Sequence, residues 1–174
     1  MPTAERDGRD LVIGLGNPLM GDDGIGLAAL ERLQAEWEVP PEVELIDGGT
    51  WGMNLLPMIE VAPRVLFLDA IRAGLPPGSD VVLYDRQIPR VLAQKLSPHQ
   101  IDLKEVLAVA ELRGTLPSAS VAIGLEPEIV ELGIGLSPRV EAGIGRMVEA
   151  AVAQLNAWGH VCHRYQGVEA ALDA

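Results

Sequence analysis

The chain has 174 residues with 25 acidic against 13 basic side chains, a formal charge of −12, and 48% apolar composition. The length suits one domain spanning residues 1–174, and the apolar fraction suffices for a core. An acidic surface without a basic stripe repels phosphate backbones, so nucleic acid is excluded and protein or small-molecule partners are expected. Cys162 is the single cysteine, which fits a reducing compartment, and a cytoplasmic protein is expected. The first ten residues carry five charges and no apolar h-region, and no run approaches the roughly 18 apolar residues of a membrane helix. Neither a signal peptide nor a membrane partner is expected.

In chain order, Leu11-Val12-Ile13-Gly14-Leu15 reads as a strand, followed by a turn rich in Gly, Asn and Pro. Ile25, Leu27, Ala28, Leu30 and Leu33 then recur at helical spacing. Val43-Glu44-Leu45-Ile46 is a second strand ending in Asp47-Gly48-Gly49, with Thr50 as N-cap of a helix through Leu55, Leu56 and Ile59. Val65-Leu66-Phe67-Leu68 is a third, ending at Asp69. Continuous apolar strands alternating with helices predict a mostly parallel sheet buried on both faces, an α/β fold. Val81-Val82-Leu83-Tyr84 comes too soon after Pro76-Pro77-Gly78 for a helical crossover and reads as an antiparallel edge strand. Ser97-Pro98-His99-Gln100 has the spacing of a capping box opening a helix through Leu103, Val106, Leu107 and Val109. Ser120–Leu125 is the last strand, and Ser137-Pro138 opens one long helix to about Trp158. The core is expected over about residues 10–158, with 159–174 as a tail lacking periodicity.

Ligands of an open α/β sheet bind beyond the carboxyl ends of its strands. Three acidic positions fall there: Asp22-Asp23 after the first strand, Asp47 after the second and Asp69 after the third. His99 joins them if its helix starts on the same edge. Asp23, Asp69 and His99 would then offer two carboxylates and an imidazole, a set suited to a divalent first-row metal with open positions. Each has a plainer reading. The helix macrodipole stabilises Asp22 and Asp23, Asp47 before two glycines is a turn signal, and a lone His99 is ordinarily solvated. His160, Cys162 and His163 in the tail are metal-ligand types without a closed set, and surface or partner contact is expected of them. Gly14-Leu15-Gly16 suggests a dinucleotide fingerprint, but Leu19 stands where the third glycine belongs and Asp22-Asp23 would repel a pyrophosphate. Leu15-Gly16-Asn17-Pro18 looks like the opening of peptidyl-tRNA hydrolases, yet no histidine precedes His99.

Four segments in order resemble the [NiFe]-hydrogenase maturation endopeptidases. They are Gly14-x-Gly16-Asn17 through Asp22-Asp23-Gly24-x-Gly26, Asp47-Gly48-Gly49-Thr50-x-Gly52-x-x-Leu55-Leu56, Asp69-Ala70, and Ser97-x-His99-Gln100-x-x-Leu103. The likeness covers about Leu11 to Trp158. It implies a three-layer sandwich, a twisted five-stranded sheet between helices. It also implies an endopeptidase that removes a short C-terminal extension from a hydrogenase large-subunit precursor after nickel insertion. By that likeness Asp23, Asp69 and His99 are the catalytic and metal-contacting positions, and Asp47, Gly48, Gly49 and Thr50 engage the substrate. Some family members carry Glu at the position of Asp23, so the shorter arm asks the metal or helix terminus to shift by about 1.5 Å.

Nickel would arrive on the substrate, and three such ligands could also capture adventitious zinc or cadmium. The sequence lacks a Ser–His–Asp or Cys–His arrangement, which makes a side-chain nucleophile unexpected. The competing reading is a non-hydrolytic, nickel-dependent binding module or chaperone for the large subunit. Specificity is expected in the loops Trp51–Met58 and Arg86–Lys95, from their position beside the rim.

Overall fold

The computed structural model describes residues 8–91 and 103–167. In chain order its elements are β1 (Asp10–Leu15), α1 (Ile25–Glu36), β2 (Trp37–Glu38), β3 (Val43–Gly49), α2 (Leu56–Val61), β4 (Arg64–Ala70), β5 (Asp80–Tyr84), α3 (Gln87–Val91), α4 (Leu103–Leu112), β6 (Ala119–Leu125), α5 (Pro138–Glu141), α6 (Ile144–Ala157) and β7 (His163–Arg164). Short 3₁₀ turns at Gly21–Gly24 and Gly52–Leu55 lead into α1 and α2.

Five strands form one sheet in the order β3-β1-β4-β6-β5, in which β3, β1, β4 and β6 are parallel and β5 runs antiparallel on β6. The expected edge strand is therefore found, and its alternating burial, with Val81 and Leu83 inward and Val82 and Tyr84 outward, is that of a one-sided strand. The inner strands are buried along most of their length, and their side chains alternate between two cores with a period of two. Leu11, Ile13, Val65 and Phe67 enter one core with Ile59 of α2 and Val106 of α4. Val12, Leu66, Leu68 and Ile123 enter the other with Leu33 of α1 and Val148 of α6. The result is the expected mostly parallel α/β sandwich with helices on both faces.

Three expectations change. Thr50 does not cap the second helix: β3 continues through Gly49, Thr50 is an exposed turn residue, and the 3₁₀ turn after it begins without a side-chain cap. The long final helix is two, α5 and α6, broken at Ala142-Gly143. There the chain passes so close to β6 that a Cβ on Gly143 would stand 2.9 Å from Leu125 Cδ1. The tail is not without structure, because β7 pairs antiparallel with β2, Trp37 opposite Arg164 and Glu38 opposite His163. Arg164 lies over the Trp37 ring at 5.4 Å. The helix start expected at Ser97-Pro98-His99-Gln100 lies outside the described residues. Α4 follows it as expected, with Leu103, Val106 and Leu107 buried and Val109 packed against the same core.

Candidate active site

The connection from β1 to β3 goes one way along the sheet and the return to β4 crosses to the other side of β1. The carboxyl ends of β1 and β4 thus form the topological switch point, where a crevice opens. Helix α1 begins directly above it. A Cβ on Gly26 would lie 2.1 Å from the Leu68 carbonyl oxygen and 2.4 Å from that of Leu15. Only a bare backbone lets the first helical turn descend between these two strand ends. Gly14 and Gly26 are thus packing glycines of a strand–helix contact, a physical reason for the Gly-x-Gly spacing that involves no pyrophosphate.

Asp23 sits on the 3₁₀ turn at the head of α1, 5% exposed, and its Oδ2 accepts the Asn17 amide at 2.9 Å. Asn17 in turn closes its own loop, its Oδ1 accepting the Leu19 amide at 3.0 Å, the side-chain turn for which asparagine is suited. Gly16 has φ of 119°, and a Cβ there would meet the Asp23 carbonyl oxygen, so the loop folds tightly back on the residue it presents. Asp69 is the penultimate residue of β4, half-buried, with Oδ1 accepting the Ala70 amide at 2.8 Å. Gly124 stands opposite it on β6, where any side chain would collide with the Asp69 carbonyl. Asp23, on the 3₁₀ turn that heads α1, and Asp69, at the end of β4, both lie on the carboxyl side of the sheet. The third expected member, His99, lies outside the described residues. Among the described residues no three acidic, His or Cys side chains form a metal-holding group.

The Asp47–Thr50 segment lies on the same rim. The β1–β3 register slips there, Gly14 facing Asp47 and Leu15 facing Gly49, which leaves Gly48 as the extra residue of a bulge. Gly48 is buried, with Ile13 Cγ2 only 2.7 Å from where its Cβ would be. Gly49 takes φ of 40° and its carbonyl accepts the Gly16 amide at 3.0 Å, tying the two rim loops together. Asp47 and Thr50 are exposed, as is Trp51, 54% accessible beside them.

Asp22, for which the sequence suggested only stabilisation by the helix macrodipole, has a larger structural role. It is wholly buried, and its carboxylate accepts four hydrogen bonds: the amides of Glu128 (2.9 Å), Ile129 (2.8 Å) and Ser137 (2.7 Å), and the Ser137 hydroxyl (2.8 Å). Burial pushes its pKa up, but the bonds from Ile129, Ser137 and Glu128 outweigh it and hold the group below its ordinary value of 3.8. Glu126, 6% exposed, does the same for the loop after β4, accepting the Ala73 amide at 2.6 Å. Two buried carboxylates thus lash the loops after β1, β4 and β6 into one rigid rim. Their partners lie far away in sequence, and only the acidic residue type hinted at them.

Two expectations of placement fail. Arg86–Val91, the described part of a loop expected beside the rim, starts at the opposite edge of the sheet, since β5 runs antiparallel and Tyr84 pairs with Val121 near the start of β6. His160 and Cys162 are not surface residues. The His160 ring bonds Asp10 Oδ2 at 2.6 Å beside Arg64, at the amino ends of β1 and β4, far from the switch point. Cys162 is 8% exposed within the core. His163 keeps an exposed position on β7.

Acidic side chains on the carboxyl rim of a mostly parallel sheet, carried by glycine-packed loops, define an α/β protein with an acidic rim at its topological switch point. Comparison with known proteins makes the class definite. Residues 27–154 match the family model for hydrogenase maturation protease. The chain is 38% identical over 161 residues to the hydrogenase expression/formation protein HupD of Bradyrhizobium diazoefficiens, covering 91% of this chain and 84% of that protein. It is 37% identical over 163 residues to the hydrogenase 2 maturation protease of Escherichia coli, covering 93% and 94%. The solved hydrogenase maturating endopeptidase HybD from Escherichia coli superimposes with a TM-score of 0.85 at 36% identity, covering 90% of this chain and 97% of that one. The chain belongs to the hydrogenase maturation protease family.

Proposed function

We propose that the protein removes a short C-terminal extension from the nickel-loaded large-subunit precursor of a [NiFe] hydrogenase. What supports this reading is that Asp23 and Asp69 both lie on the carboxyl rim, where Gly26 lets the head of α1 descend onto the ends of β1 and β4. Family membership gives the maturation protease, and carboxylates on the rim suit a cation carried by its substrate.

In this reading the nickel is part of the substrate, already bound by thiolates of the precursor. Asp23, Asp69 and His99 complete its coordination with two oxygens and one nitrogen, and so recognise a loaded precursor and reject an empty one. Docking in this way sets the scissile peptide beside the metal, where a divalent ion polarises a carbonyl or acidifies a water. The Asn17 amide on Asp23 and the Ala70 amide on Asp69 fix each carboxylate's orientation before substrate arrives, so little ordering is left for binding. The buried Cys162, whose thiol burial pushes up from 9.0, is remote from this rim and unsuited to act as a nucleophile. Asp47, Gly48, Gly49 and Thr50 form the edge along which the extended C-terminal peptide lies.

The test is the intact mass of a cognate large-subunit precursor, nickel-loaded or nickel-free, after incubation with this protein. Loss of a C-terminal peptide from the loaded form alone is expected. Unchanged mass in both forms, with stable complex formation, identifies a nickel-dependent chaperone instead.

A further inference from the structure

Between β6 and α5 the chain leaves regular structure, yet its backbone is closely held. The Asp22 carboxylate takes the amides of Glu128, Ile129 and Ser137, and the Gly133 amide and carbonyl bond Leu19 and Gly21 at 2.9 Å each. On this fixed frame large aliphatic side chains stand in water: Ile129 47%, Leu132 84% and Ile134 91% exposed, with Leu19 at 55% beside them. A rigid segment that displays a cluster of this kind gains nothing from it in the free protein, and the hydrophobic effect favours a cover. Ile134 also forms one wall of a cleft of about 360 Å³, whose other wall is Leu27 and Ala28 of α1 and whose lining includes Gly24, Glu31 and Asp47. Gly24 follows Asp23 directly, and Asp47 belongs to the substrate edge. The cleft therefore borders the proposed substrate edge at Asp47.

We propose that this crest and cleft form a docking site for the folded body of the large-subunit precursor, separate from the peptide that is cut. Its occupant is an aliphatic anchor on the precursor surface with basic residues around it. This rests on the reading of the protein as a precursor-processing enzyme. The aliphatic walls select the anchor, while Glu31 in the lining and exposed Glu128 and Glu131 on the loop supply complementary charge, on a chain of net charge −12. A macromolecule fits better than a small ligand, because Leu132 and Leu19 reach beyond the cleft and a molecule filling only its volume would leave them wet. The loop's prior anchoring by Asp22 keeps the ordering cost of binding small.

The experiment compares wild type with Ile134→Asp, the milder double variant Leu132→Ala/Ile134→Ala, and Leu112→Asp, which makes the same change at an 88%-exposed leucine at the end of α4. Processing of nickel-loaded precursor is followed by intact mass, and precursor affinity by interferometry. The crest variants should raise KM and Kd about tenfold or more with kcat within about twofold, and Leu112→Asp should change neither. Unchanged KM and Kd in the crest variants, with wild type active, overturns the docking site and leaves the protease reading standing. A fall in kcat alone also overturns it, since the crest would then act on the reacting centre. Wild type that binds but never cuts, with binding lost in the crest variants, supports the docking site and removes the protease reading. Wild type that neither binds nor cuts removes both. A wild-type dimer that the crest variants dissociate, with precursor affinity unchanged, shows a second copy to be the cover and overturns the proposal.

Discussion

The carboxylate of Asp22 accepts both the amide and the hydroxyl of Ser137, at 2.7 and 2.8 Å, across 115 positions of sequence. The bond pair joins the head of α1, where Asp23 is presented, to the head of α5. The two helices share one core with their sheet face, so the carboxylate fixes the end of that layer nearest the active site.

Asp22→Ala should therefore cost about 3 kcal/mol or more, because each buried amide left without an acceptor costs about 1–3 kcal/mol. A shift of the denaturation midpoint checks this, and a change below about 1 kcal/mol would show that water replaces the carboxylate. The pH dependence has a definite sign. A carboxyl held below its ordinary value of 3.8 contributes stability that is present above that value and is lost as pH falls through the depressed folded one. Asp22→Asn should flatten the acid limb of the stability profile relative to wild type.

Asp69→Asn should leave the fold unchanged, since the amide oxygen still accepts the Ala70 N–H, but lower precursor processing by at least about 10²-fold, the scale of losing one fixed electrostatic contact at a reacting centre. His99→Ala should do the same. Full activity in both variants would refute the assignment of these residues to the site.

Gly26→Ala adds one carbon where the Leu15 and Leu68 carbonyls already stand within 2.4 Å. The head of α1 must rise, at a cost of about 1–3 kcal/mol, and Asp23 rises with it. Loss of both stability and processing is expected, whereas Gly74→Ala, at a site with open space, should affect only its local turn.

Asp10→Ala tests the opposite edge. It strands Arg64, which bonds Asp10 at 2.6 Å and lies 5.1 Å over the Trp158 ring, together with His160. Breaking such a pair costs about 3 kcal/mol, near the lower end for buried pairs because the Arg64 side chain keeps 29% exposure. Processing measured well below the melting temperature should stay at the wild-type rate. A loss of kcat in the folded variant would mean that the two edges of the sheet are coupled.

Cys162 should react slowly with alkylating reagents in the native state and at the rate of a free thiol in denaturant. Burial keeps it neutral, with its pKa raised from 9.0. Rapid native alkylation would show that the segment around β7 opens readily.

Much of this molecule was written locally. The run Leu11–Leu15 and the run Val65–Leu68 declared strands buried on two faces, and Ile25, Leu30 and Leu33 declared the face of α1 that meets them, because side-chain periodicity records what each element buries. The positions of Asp23, Asp47 and Asp69 after those strands followed from the rule that parallel strands deliver their ends to one rim, and β5 was placed antiparallel by the shortness of its connection. Tertiary structure decided what periodicity does not encode. It made Asp22 a clasp, broke the last helix where Gly143 meets Leu125, sent Tyr84 and Arg86 to the far edge, set the His160 ring against Asp10, and buried Cys162 in the core. A hydrogen bond to a residue 115 positions away leaves no pattern in the local sequence, and neither does the exposure of an isoleucine such as Ile134. Both are properties of which surfaces meet after folding, and the composition of a segment specifies only that some surface must.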